Sequence, residues 1–223
     1  MSDFTLWGFD GSTYVRTIKM LFAEKGFTQF DQAPLNVLKG EPRTPEHLQR
    51  HPFGKVPVLD HAGMRILETT AIARYLNDVL PGRSLIPATP KDRARMDMII
   101  GVIDSYGYGA LIGGVAAYHL FPGFVGGKND AMRKGGIEKG RKVIELAMKT
   151  RGSSPFIAGD LSLADLYLAP LVFYPKLADS ASPATIFRTT WLRKRLISLV
   201  RGGAARPKTA VVPTKGISSG FDL

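Results

Sequence analysis

The sequence predicts an α/β domain of order βαβ-α-ββα over residues 1–80, then a linker over 81–89. An all-helical domain over 90–200 and a basic tail over 201–223 complete the chain. Three observations carry this. Short strand-like runs alternate with helix-period runs as far as Leu80, only helix-period pattern follows Pro90, and a Pro- and Ser-containing break over 84–90 separates the two. A chain of 223 residues is long enough for two such units without disulfides or metals to hold a core.

Phe4 to Phe9 is apolar and aromatic and reads as a strand. After Gly11-Ser12 the period becomes helical, with Val15, Ile18, Leu21 and Phe22 on one face and Gly26 at the C-terminal end. Phe27 to Leu35 alternates weakly and predicts a second strand, parallel to the first through a right-handed crossover. A short helix is expected over Thr44 to Arg50. Val56 to Asp60 and Met64 to Leu67 form a hairpin about Ala62-Gly63. Thr69 to Leu80 reads as a helix burying Ile72, Leu76 and Val79, closed by Pro81-Gly82. Pro90 opens a long helix to about Tyr118. Its five glycines each cost about 1 kcal/mol against alanine and mark a bend, close packing or a cavity wall. Asp130 to Arg151 and Ser162 to Leu177 are two further helices, the last opened by Ser162-Leu-Ala-Asp165 as a capping box with Asp for Glu.

Composition excludes several chemistries. With no cysteine there is no thiol nucleophile, redox pair or thiolate zinc site. Net charge is +11, but residues 185–223 alone hold eight Lys/Arg against one acid, so the basicity describes a solvated, unstructured end. Too few aromatics interleave there for a nucleic-acid surface, and no nucleic-acid partner is expected. The charge-free stretch 105–127 holds seven glycines and Pro122, poor material for a membrane span. Asp3 stands where a secretory leader carries bases. A soluble, cytoplasmic protein without membrane partners is expected. His47 and His51 are four apart without an evident third ligand; they read as surface or loop residues, and no metal is expected.

Strand–helix–strand, a short helix, then ββα with Val-Pro at a strand start is the order of a thioredoxin-like domain. Three stretches resemble the glutathione transferase superfamily: His51-Pro-Phe-Gly-Lys-Val-Pro-Val-Leu-Asp60, Leu67-Glu-Thr-Thr-Ala-Ile-Ala-Arg-Tyr-Leu76 and Phe156-Ile-Ala-Gly-Asp-Leu-Ser-Leu-Ala-Asp165. Their order and spacing match from residue 3 to residue 178. Leu6-Trp-Gly-Phe-Asp-Gly-Ser12-Thr-Tyr-Val resembles the serine-type, phi-class pattern. Beyond residue 178 the resemblance fails, because Trp191 and Arg206-Pro207 echo family signals at the wrong spacing.

The resemblance implies a transferase joining the thiolate of glutathione to hydrophobic electrophiles in detoxification, with hydroperoxide reduction as a further activity. A non-catalytic ligand carrier of the same fold is the alternative. No cofactor is implied, glutathione being the co-substrate, and a homodimer is. Ser12 is the matched catalytic residue, with Thr13 its neighbouring candidate; an N-cap role would suffice for Ser12 locally. Val56, before a cis Pro57, pairs with the cysteinyl backbone of glutathione. Glu68 lies near its amine and Thr69 near the γ-glutamyl carboxylate, Thr69 also being expected to cap its helix. Lys55 and Arg43 face the glycine carboxylate. Tyr106, Tyr108 and Leu111 are candidates for the second-substrate pocket. Tyr14 and Arg16 are expected at solvent or a domain contact, and Asp165 has a structural role.

Overall fold

The computed structural model describes residues 3–178. Expectations for the end of the helical domain and the basic tail lie outside the described residues. The first half is a four-stranded sheet of order β2-β1-β3-β4. It comprises β1 (Phe4–Gly8), β2 (Asp31–Pro34), β3 (Val58–His61) and β4 (Met64–Ile66). β2 runs parallel to β1 and β3 antiparallel to it, as a crossover and a hairpin require. β2 is shorter than expected, because Phe27 and Phe30 leave the ladder to stack on Phe22 in the core.

Alternation in β1 buries Phe4 and Leu6 against α1 (Thr13–Glu24) and α3 (Thr69–Val79). Trp7 faces the other way and donates to Asp60 (2.9 Å), with the Arg50 guanidinium 4.0 Å over its ring at the end of α2 (Pro45–Arg50). In α1 the expected stripe of Val15, Ile18, Leu21 and Phe22 is buried. In α3, Ile72 and Leu76 are buried but Val79 is 44% exposed: the buried stripe runs through Ile72, Ala73, Leu76 and Leu80 and leaves Val79 off it.

The second half is built from α4 (Pro90–Leu120), α5 (Asp130–Arg151) and α6 (Leu163–Ala178). Thr89 and Asn129 cap α4 and α5 through Asp92 and Met132 amides. Ser162 and Asp165 form the expected cap of α6: Asp165 accepts from the Ser162 amide and hydroxyl and from the Ile157 amide. By length and composition α4 could cross a membrane, yet half of its apolar window is packed inside the protein, as in a core helix.

Two stretches of α4, Ile103–Gly107 and Gly109–Ala116, are wound as π-helix, and this decides what each glycine does. Gly114 lies against the Gly136 backbone of α5, where a Cβ would come within 3.1 Å. A Cβ on Gly140 would strike the Leu111 side chain at 2.3 Å. These contacts let α4 and α5 approach closely. Gly113, by contrast, faces open space.

The halves are tied at the linker and along α1. Asn77 Oδ1 accepts from the Leu85 amide (2.7 Å), Leu85 O from the Leu163 amide (3.0 Å), and Leu161 O from Arg83 (2.8 Å). Thr17 in α1 donates to Leu166 O in α6 (3.2 Å).

Candidate functional site

One cavity of about 840 Å³ runs between the two halves. Its polar end lies where two strand-to-helix junctions and the 51–57 loop meet. At the first junction β1 hands over to α1. Ser12 is extended (φ −80°, ψ 129°) and is the N-cap; its Oγ accepts from the Val15 amide at a long 3.4 Å. The hydroxyl proton has no acceptor among the described residues, so Ser12 can cap the helix and donate into the cavity at once. The partial positive charge of the α1 N-terminus falls at the same place. Thr13 also borders the cavity, but its Oγ1 is buried and unpartnered, inaccessible even to water. That favours Ser12 over Thr13 as the donor.

At the second junction the structure corrects an expectation: Thr69 does not cap α3. The N-cap position is Glu68, held at φ 66°, and among the described residues no side chain bonds the first amides of the helix. Positive φ at a non-glycine costs about 1–3 kcal/mol and persists where surrounding structure imposes it, often at ligand sites. The free amides of the first α3 turn, beside Thr69 and Thr70, are a ready receptor for a carboxylate. The Glu68 side chain is 75% exposed at the cavity mouth.

The 51–57 loop lies opposite. The Val56–Pro57 bond is cis, as expected. Val56 lies just ahead of the sheet ladder, which begins at Val58 opposite Trp7. Lys55 and Arg43 are exposed at the rim, and neither pairs with an acid among the described residues. Of the expected surface or loop positions, His51 does lie in the loop that follows α2, while His47 lies on α2; neither is at the surface, being 1% and 0% exposed. His47 Nε2 donates to Lys55 O (2.8 Å). His51 Nδ1 accepts from the Phe53 amide (3.3 Å), so in the neutral ring Nε2 carries the proton, 3.7 Å from a Glu68 oxygen. Burial holds the His51 imidazole below its usual pKa, opposed by Glu68. The two rings fix the loop from beneath. Sequence reasoning missed them because helix α2 is short and its buried face carries histidines rather than aliphatics.

The apolar end is walled by α4 and the turn after it. Tyr14 stacks on Tyr108 (5.0 Å) and donates to Asp104 (2.9 Å) across the domain contact expected for it. Burial raises the Tyr14 pKa, and Asp104 raises it further. Its proton is therefore committed to Asp104. Burial also raises Asp104, against the Tyr14 hydrogen bond that lowers it. Arg16 likewise meets the other domain, over the Phe173 and Tyr174 rings at 5.0 and 5.3 Å. Ile112, Ala117, Leu120, Phe121 and Phe124 continue the wall.

Of the three expected pocket residues only Tyr108 is there. Tyr106 is 64% exposed on a separate small groove facing α5, and Leu111 is fully buried against Gly140. For Leu111 the reason is the π winding. An ordinary helix places positions 104, 108, 111 and 115 on one face, whereas a wider turn brings Asp104, Tyr108, Ile112, Gly113 and Ala117 round instead. Only a signal for that winding, which the glycines alone do not give, could have found them. Among the described residues no three metal-ligating side chains converge.

Residues 2–78 match the family model for the glutathione S-transferase N-terminal domain. The chain is 30% identical over 163 residues to glutathione S-transferase 4 of Zea mays, covering 72% of each. It is 32% identical over 157 residues to a maleylacetoacetate isomerase of Rhizobium meliloti (strain 1021), covering 67% of this chain and 71% of that one. Plant transferases designated F, the phi class, are also among its relatives. The fold superimposes on glutathione S-transferase I bound with lactoylglutathione with TM-score 0.72 and 26% identity, covering 91% of this chain and 98% of that one.

Proposed function

This chain belongs to the glutathione S-transferase family, and we propose the residues by which it acts. It is a glutathione transferase, conjugating the thiolate of glutathione to electrophilic molecules. The observation that carries the site assignment is one cavity joining a Ser12 hydroxyl, its proton without an acceptor among the described residues, at one helix N-terminus to uncapped amides at another.

A thiol titrates near ~8.5 and is mostly protonated at neutral pH, while the thiolate is the nucleophile. A hydrogen bond from Ser12 to sulfur, with the α1 N-terminus behind it, favours the charged form. The γ-glutamyl carboxylate fits the α3 amides by Thr69, with its amine near Glu68. The cysteinyl backbone fits Val56, and the glycine carboxylate fits Lys55 and Arg43. The sulfur then faces the apolar wall, where an electrophilic carbon bonds to it and the leaving group departs with its electron pair. A hydroperoxide bound there would be attacked at oxygen instead; a second glutathione completes reduction to alcohol, disulfide and water.

The test is turnover of a chloronitrobenzene with glutathione, beside retention on glutathione-agarose. Retention without turnover would leave a ligand carrier and sink the catalytic assignment of Ser12. The family resemblance and surface-exposed Phe53 and Met98 support a homodimer; a monomeric mass by light scattering at micromolar concentration would count against it.

A further inference from the structure

The cavity wall on α4 and the turn after it carries Tyr108, already stacked on Tyr14, and the Phe121–Phe124 pair (centroids 6.3 Å apart). Gly113 lines the same cavity, and a Cβ there would meet no atom of the described residues within 4 Å beyond its own helix backbone. It is the π winding that turns Gly113 to the cavity. Gly109, four residues earlier on the same segment and just as open among the described residues, lines the groove facing α5 and not this cavity. A helix glycine with room for a side chain is locally unfavourable, so neither packing nor backbone conformation accounts for Gly113.

We propose that Gly113 is a specificity-determining position. Its missing side chain leaves an apolar slot in the cavity that Tyr108, Phe121 and Phe124 line, and this slot takes the second ring of an extended aromatic electrophile. This rests on the transferase reading for the identity of the first substrate. The chemistry of the slot follows from the cavity lining. Tyr108, Phe121, Phe124, Ile112 and Ala117 line the cavity with Gly113, and Asp104, the charged side chain that α4 brings there, is engaged by Tyr14. A planar, uncharged two-ring group fits it, and an anionic group does not.

Product-like ligands test this without needing turnover. S-methylglutathione and S-(naphthylmethyl)glutathione are titrated calorimetrically into the full chain and into Gly113→Leu, Gly113→Ala and Gly109→Leu. The unaltered protein is expected to prefer the naphthyl compound by about tenfold or more, the scale of discrimination a fitted apolar pocket gives. Gly113→Leu should abolish that preference while keeping S-methylglutathione affinity, and Gly113→Ala should lie between. Gly109→Leu, with the same helix-favouring change on the other face, should match the unaltered protein. No preference in the unaltered protein, retained preference in Gly113→Leu, or an equal loss in Gly109→Leu would each overturn the proposal. Failure of the transferase reading appears separately, as absent turnover with these binding ratios intact.

Discussion

The two ends of the cavity are built on different logic. At the polar end the groups assigned to glutathione cluster at junctions: Ser12 where β1 becomes α1, Glu68 and Thr69 where the hairpin becomes α3, Val56 two residues before β3. Position there is fixed by short-range backbone geometry. At the apolar end Asp104, Tyr108, Ile112, Gly113 and Ala117 lie inside one long helix, and which of its residues face the cavity depends on the pitch of that helix. The comparison teaches that a binding site made of chain junctions survives large changes elsewhere, while a site made of a helix face is reset by one change in winding.

The sharpest break of that comparison is Leu111→Ala. If the π winding holds, Leu111 is core, and the variant should lose about 2–5 kcal/mol of stability in a denaturant titration. Its KM for electrophile should not move; a raised KM with unchanged stability would return Leu111 to the pocket and undo the winding argument. Next is Ser12→Ala, expected to lower kcat about a hundredfold, the scale for removing one positioned donor. Retention on glutathione-agarose should persist, because the peptide is held by other groups. Unchanged turnover would refute Ser12 as the activating residue. Asp165→Asn sharpens the contrast from the structural side. Its amide nitrogen would face a backbone or hydroxyl donor, and stability should fall by about 1–3 kcal/mol. The glutathione KM should stay constant in that variant.

The smallest effect concerns His51 and pH. Its folded pKa is depressed, by burial first and then by His47 and Lys55, with Glu68 opposing. Its stabilising contribution is therefore complete above its unfolded value, about 6.5, and is lost as pH falls through the folded one. Protonation fills Nδ1 and takes the acceptor from the Phe53 amide. We expect the glutathione KM to rise a few-fold once pH falls below the ordinary imidazole range and His51→Asn, which keeps an acceptor but does not titrate, to flatten the rise. An identical pH profile in both proteins would remove His51 from the site.

The polar end was legible because the local stretches around Ser12, Val56-Pro57 and Glu68-Thr69 resemble those of the glutathione transferase superfamily. Ser12, Val56, Pro57, Glu68 and Thr69 all border the cavity, as do Arg43 and Lys55 at its rim. The element order was legible because caps and turns leave local signatures, down to the Ser162–Asp165 box. Leu111 was misplaced because a pitch of 3.6 residues puts it on one face with Tyr108, in a segment that is not α; Tyr106, two residues from Tyr108, points the other way under either winding, into the groove facing α5. His47 and His51 were misread because burial of a polar ring depends on partners such as Lys55 O and the Phe53 amide, distant from any pattern in α2 itself.

The uncapped start of α3 carries a consequence for how the protein keeps its shape. A helix normally ends its first turn on one of its own side chains, and here none serves. If the γ-glutamyl carboxylate takes that place, the substrate is a removable part of the secondary structure. Saturation then shores up the first domain by mass action, by about 2.7 kcal/mol at a hundredfold excess over Kd. A cell that depletes the peptide would loosen the enzyme that consumes it, and the abundance of this transferase would follow its co-substrate without any dedicated regulator.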